Sequence, residues 1–213
     1  SKFDVPVLVW GARDPYPNSF GMRGRDTQCG MFAATKVMRR YGIKYSSIYN
    51  EPADSEIFKN GYETFLRVVN VVKDFKGLRI AKIGERPSAF RSVMTNEANL
   101  IRRFGIQTVI IPPLVIRKAM DKILEEKNEE YMAMDQDLRS RFELKMTEEA
   151  IQNLTAFKIA VRNAMDASNC SVGAVECWPT GGMLSFPVCA GIGELPDMGY
   201  PVACETDING AIT

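Results

Sequence analysis

Apolar positions along this chain come in two alternating rhythms. Residues 5–10 (VPVLVW) are a short, nearly continuous apolar run that stops at Gly11, the pattern of a buried parallel strand. Residues 12–24 are rich in Gly, Pro, Asn and Arg and predict a loop. From Thr27 to Arg40 apolar residues recur at Met31, Phe32, Ala34, Val37 and Met38, the spacing of an amphipathic helix, with Gly42 as a stop. Residues 44–49 predict a weaker strand. Residues 57–75 carry Phe65, Val68, Val69 and Val72 on one helical face and end before Gly77.

The rhythm then repeats. Residues 78–83 predict a strand and Gly84-Glu85-Arg86-Pro87 a loop. Residues 90–104 predict a helix closed by Gly105, residues 107–111 a strand stopped by Pro112-Pro113, and residues 114–124 a further helix. Residues 125–145 are densely charged and predict a solvated connector with helical parts. Thr147 is a good N-cap, with Glu148 and Glu149 in the first turn where the helix dipole favours anions. Ile151, Leu154, Phe157, Val161 and Ala164 then line a helix to about Ala167. Residues 172–177 predict a strand running into the turn at 178–182, and residues 201–204 another before Glu205-Thr206-Asp207.

Strands alternating with helices predict an α/β fold, read as two units with Rossmann-like parallel sheet layers. A boundary is expected near Lys76-Gly77 and a second within residues 190–201, where Gly and Pro cluster. Ligands in such sheets sit at the carboxyl ends of strands, which directs attention to the loops at 11–24, 84–88 and 176–182.

Composition narrows the function classes. The 213 residues carry 27 Lys+Arg against 26 Asp+Glu, a net charge of +1, so the basic excess of a generic nucleic-acid binder is lacking. Apolar runs are too short for a membrane span. Five cysteines, an odd number without a small-scaffold spacing, fit a reducing cytoplasm. The chain has no His, which excludes Ser-His-Asp and Cys-His catalysis, and His-ligated zinc, within this chain alone. Acid–base chemistry must use carboxylates, Lys, Tyr or Cys. The sequence starts at Ser1 and stops in the apolar Ala211-Ile212-Thr213, from which a fragment of a longer protein is expected.

The candidate chemistry concentrates near the C-terminus. Glu176 ends one expected strand, and Glu205 and Asp207 end another. They are either ordinary solvated acids or a convergent set, and convergent carboxylates need a shared proton or a cation. An oxygen-rich set suits Mg²⁺ or Mn²⁺ over Zn²⁺. Glu205 and Asp207 share a face if extended and separate if the chain turns. Gly84-Glu85-Arg86-Pro87 lacks the later glycines of a dinucleotide loop; Arg86 and Ser88 either touch a sugar or anion near a helix start or belong to the surface. Trp178 either stacks on a sugar ring or joins the core. Cys177 and Cys204 adjoin apolar positions and lack a neighbouring cation to lower their pKa, so they read as buried thiols. Glu97 reads as a helix-face residue. Arg13, Arg23 and Arg25 cluster in the first long loop, there to meet solvent, an anion or a neighbouring subunit.

Three segments resemble the L-fucose isomerase family. They are the run from Pro6 to Gly11 with Arg25-Asp26-Thr27-Gln28-Cys29-Gly30; Ile83-Gly84-Glu85-Arg86-Pro87 with Asn96-Glu97 and Phe104-Gly105-Ile106; and the stretch from Ala174 to Pro179 with the one from Pro201 to Gly210. The resemblance runs over nearly the whole chain. It implies an aldose–ketose isomerase acting on L-fucose, D-arabinose or a related sugar through an enediol. It also implies Mn²⁺ held by a Glu, an Asp and a His, and a homo-oligomer, trimer or hexamer, with shared sites. On that template residues 1–76 end a first α/β domain, 77–200 form a second, and 201–213 begin a truncated β-rich C-terminal domain. Asp207 matches the metal-binding Asp. Glu176 is the expected ligand Glu, with Glu205 and Glu194 as alternatives, and the ligand His is expected beyond Thr213. Glu176 and Asp207 are the expected catalytic pair, and Arg86, Ser88 and Trp178 the expected substrate contacts. The rival reading is a non-catalytic sugar-binding α/β domain that needs no metal.

Overall fold

A computed structural model describes residues 5–178 and 188–213. The chain is α/β with parallel strands, nearly half of it helical, and divides into two compact units, 1–74 and 75–213.

In the first unit β1 (Leu8–Val9) pairs in parallel with β2 (Ser46–Ser47), and α1 (Thr27–Arg40) and α2 (Glu56–Phe75) complete it. The strand expected over residues 5–10 shrinks to two residues. Its single partner is short and made of two serines, and Val5 is 60% exposed rather than buried. The arginine-rich loop is organised internally. The Asp14 carboxylate accepts from the Thr27 and Gln28 N–H groups at 2.6 and 2.9 Å and so caps α1 from a distance. Those bonds, Gln28's foremost, hold Asp14 below the usual carboxylate range. Arg13 pairs with Glu51, and Arg25 donates to the Arg13 carbonyl at 2.7 Å.

The second unit holds four parallel strands: β3 (Arg79–Ile83), β4 (Gln107–Ile111), β5 (Val172–Val175) and β6 (Val202–Ala203), in the order β4-β3-β5-β6. Between them run α3 (Glu97–Phe104), α4 (Pro113–Glu126), α5 (Glu129–Arg141), α6 (Glu148–Ala167) and α7 (Cys189–Glu194), and α8 (Ile208–Ala211) follows β6. The helix expected over 90–104 is two pieces. A 3-10 turn at Arg91–Val93 gives way to extended backbone at Met94, and Asn96 then starts α3 by accepting from the Asn99 N–H at 3.0 Å. Glu97 is thus the first residue of its helix, not a mid-helix one. The charged connector is more ordered than its composition suggests, because Asn128 caps α5 and Tyr131 and Leu138, two turns apart, are buried.

Strand side chains alternate across the sheet. Ala81, Ile83 and Val175 face a core built on α4 and α6, with Phe157, Leu154, Ile116 and Met120. Ile80 and Ala174 face the opposite way, onto a core shared with Ile106 and with Ile208 and Ala211 of α8. Both faces are therefore covered, as a parallel sheet requires. Residues 202–211 lie in this sheet and its second core.

Strand order locates the edge at which open α/β sheets take ligands. From β3 the chain passes to β4 on one side, then returns past β3 to β5 on the other. The carboxyl ends of β3 and β5 flank this reversal, where open α/β sheets form a crevice.

Candidate active site at the carboxyl edge of the sheet

Glu176 leaves β5 at the reversal. Its N–H donates to the Ile83 carbonyl at 2.8 Å, and its Oε2 accepts from the Glu85 N–H at 2.9 Å. The side chain crosses the face of Gly84. A Cβ at Gly84 would lie 2.3 Å from Glu176 Oε2 and 2.6 Å from its Cβ, and the backbone there has φ +85°. Only glycine serves both demands.

After β6 the chain turns abruptly. Glu205 and Thr206 both take left-handed backbone, φ 57° and 55°, so Glu205 and Asp207 separate instead of sharing a strand face. The Thr206 N–H is tied to the Val175 carbonyl at 3.1 Å and the Asp207 N–H to Cys204's at 3.0 Å. Asp207 becomes the N-cap of α8, its Oδ1 accepting from the Gly210 N–H at 2.9 Å. Glu205 swings to the thiols, where Cys177 Sγ donates to its Oε1 at 3.0 Å. Burial, then the neighbouring Cys204 and Glu205, pushes the Cys177 thiol well up; burial likewise raises Cys204. Both stay protonated at neutral pH and fit the reading of unreactive thiols, although each is half-buried rather than buried. Among the described residues, Cys177, Cys204 and Glu205 are the one trio of His, Cys, Asp or Glu whose ligand atoms lie within 4.8 Å of one another; Glu176 and Asp207 are outside it.

The other expected site residues have local duties. Glu194, on α7, is taken up by Lys158 at 3.1 Å and by Arg141. Burial would raise its pKa, but these two cations outweigh it and hold the carboxyl below its ordinary value. One Arg86 guanidinium nitrogen donates to the carbonyls of Pro87, Ser88 and Phe90 at 2.9, 3.3 and 2.9 Å, fastening its own loop, in which Ser88 supplies a carbonyl. Trp178 is 62% exposed rather than in the core, its ring 5.9 Å from that of Phe90. The turn expected after it falls outside the described residues.

A cleft of about 220 Å³ opens beside Glu85 and is lined by Lys82, Arg86, Thr95, Glu97, Thr206 and Ile208. Lys82 Nζ sits 3.0 Å from Glu85 Oε2 and 3.8 Å from Glu97 Oε1. Thr108 donates to the other oxygen of Glu97. Sequence reasoning passed over Lys82, Thr95 and Thr206. The available signal was a lysine interrupting an apolar strand in phase with Ile80.

The fold and this edge define an α/β protein with a polar cleft and two separately anchored carboxylates where such sheets take ligands. Residues 1–76 match the family described as fucose/sulfoquinovose isomerase, N-terminal domain. The whole chain is similar to sulfoquinovose isomerases. It is 24% identical to that of Alkalicoccus urumqiensis over 214 residues, covering 100% of this chain and 47% of the relative. It is 25% identical to that of Clostridium sp. (strain MSTE9) over 221 residues, covering 100% of this chain and 47% of the relative. It is 23% identical to that of Priestia megaterium over 217 residues, covering 99% and 46%. The chain thus spans about half the length of the curated relatives it matches.

Proposed function

We propose that this chain is part of an aldose–ketose isomerase that moves a proton between C1 and C2 of an open-chain sugar through an enediol. The observation that carries the reading is likeness along the entire chain to proteins named for sugar isomerisation. The names of those relatives favour sulfoquinovose as substrate over L-fucose or D-arabinose. A cytoplasmic homo-oligomer accompanies the proposal.

On this reading Glu176 and Asp207 would hold a hard divalent cation such as Mn²⁺. Each spends one oxygen on a backbone N–H, Glu85's and Gly210's respectively, which fixes the carboxylate while its second oxygen takes no hydrogen bond among the described residues. A third ligand, the expected His, would come from beyond Thr213. The cation, when bound, polarises the sugar carbonyl and steadies negative charge on the adjacent oxygens. Glu176, oriented by the Glu85 N–H and seated over Gly84, takes the carbon-bound proton and returns it to the neighbouring carbon. Asp207, held at the start of α8, manages the hydroxyl proton.

The test is Glu176→Gln in the complete protein, assayed with Mn²⁺ on a panel of aldoses that includes sulfoquinovose. Turnover should fall at least about 100-fold. Near-normal turnover refutes the assignment. Sugar binding that persists in EDTA, with no ketose formed by the wild type, gives the molecule to the non-catalytic reading.

A further inference from the structure

Thr206 combines three unusual properties. It is 2% exposed, and its hydroxyl has no hydrogen-bond partner. It is β-branched yet sits at φ 55°, a backbone region such residues almost never adopt. It also lines the 220 Å³ cleft at the carboxyl edge. A buried hydroxyl without a partner costs stability that valine, its near-isostere, would recover. Strain and an orphaned polar group held together are the signature of a position kept for a ligand. Thr95, which lines the same cleft, also has a buried hydroxyl without a partner.

The charges lining the cleft specify the ligand. Lys82 and Arg86 face Glu85 and Glu97, two cations against two carboxylates, and Lys82 is already shared between both acids. An anionic group approaching Lys82 would meet Glu85 and Glu97 beside it, and Arg86 already donates to three carbonyls of its own loop. Neutral hydroxyls suit the set, since each both donates and accepts: Lys82 donates, the carboxylates accept, and threonine does either. Ile208, Val93 and Met94 add apolar lining for C–H edges. The volume of about 220 Å³ accommodates a small polyol.

We propose that this cleft is a subsite for the neutral polyhydroxyl portion of the substrate, with the Thr206 and Thr95 hydroxyls, Lys82 and Glu97 as its hydrogen-bonding, specificity-determining groups. The proposal rests on the isomerase reading for the identity of the ligand as a sugar, but predicts direct binding that needs no turnover. Any charged substituent of the substrate must then be recognised outside this cleft.

The experiment uses the complete protein and two probe sets: linear alditols of three to six carbons, and ethanesulfonate. Affinities are measured by calorimetry for wild type, Thr206→Val, Thr95→Val and Lys82→Met, with the thermal midpoint of each. Thr206→Val should weaken alditol binding about 3- to 10-fold, the effect of one lost hydrogen bond, while its midpoint stays level or rises. Thr95→Val should act in the same direction, and Lys82→Met at least as strongly. Ethanesulfonate should show no dependence on these residues. The subsite is overturned if the wild type binds no alditol, if Thr206→Val binds alditols as wild type does, or if Lys82→Met abolishes ethanesulfonate binding. Should alditol binding respond as expected while no aldose is turned over, the subsite stands and the isomerase reading falls.

Discussion

Two helices of equal length divide the molecule's physics. α2 and α6 each have 20 residues, and each carries apolar residues at helical spacing. α6 buries eleven of its residues, including Phe157 and Val161 at 0% exposure. α2 buries none, and leaves Val71 67% and Val68 55% exposed. The difference lies in what surrounds them. α6 packs on a four-stranded sheet together with α4, α5 and α7, whereas the first unit offers a ladder two residues long. A two-stranded pairing cannot cover two amphipathic helices by itself. Amphipathic spacing therefore predicts that a helix forms, and says nothing of what lies against its apolar face.

The contrast breaks most visibly in the core. Phe157→Ala should cost about 3–5 kcal/mol by leaving a cavity at the centre of the second unit, whereas Val71→Ala on α2 should stay within about 0.5 kcal/mol. Urea denaturation of both variants checks this. A Val71→Ala cost of the same order as Phe157→Ala would show that α2's apolar face is covered in solution.

Next comes the buried ion pair, which has no counterpart in the first unit among the described residues. Glu194→Gln leaves Lys158, whose side chain is 2% exposed, without its carboxylate, and should cost about 3 kcal/mol. The wild-type contribution has a definite pH sign. Arg141 and Lys158 hold the Glu194 carboxyl below its ordinary value in the folded state, against the opposing effect of burial. Its stabilisation is therefore fully present above the unfolded carboxylate's pKa and drains as pH falls through the lower folded value. Wild type and Glu194→Gln should accordingly converge in stability on acidification below about pH 4.5, as thermal melts across that range would record; a constant gap would refute the assignment.

The smallest effect belongs to a helix start. Asn96→Ala removes the side-chain acceptor for the Asn99 N–H and should cost about 1 kcal/mol, read from the urea midpoint with unchanged slope.

Periodicity and stop signals made much of the second unit legible. Thr147 caps α6 as its sequence suggests, accepting from the Ala150 N–H at 3.2 Å, and Gly105 ends α3 in left-handed backbone. Residues 107–111 pair as a strand in register with 79–83. What escaped was decided by contacts distant in sequence. The cap of α1 comes from Asp14, twelve residues before Asp26, the position that precedes the helix. The run at 5–10 reads as a buried strand because its composition cannot report how short its partner is. At the carboxyl edge, the strand-end location of Glu176 was legible, but not the helix-start position of Asp207 nor the anchors of the two acids, which are backbone N–H groups of Glu85 and Gly210. Thr206 drew no attention because an orphaned hydroxyl and a left-handed threonine are invisible until the chain is folded.

Gly84 has no functional group, yet it holds a veto over the residue opposite. Any substituent there would collide with the Glu176 carboxylate and push it off the amide that aims it. A survey that ranks positions by the reactivity of their side chains would score this one at zero. The shape of an absent methyl group is, at this spot, as much a part of the structure as the acid it admits.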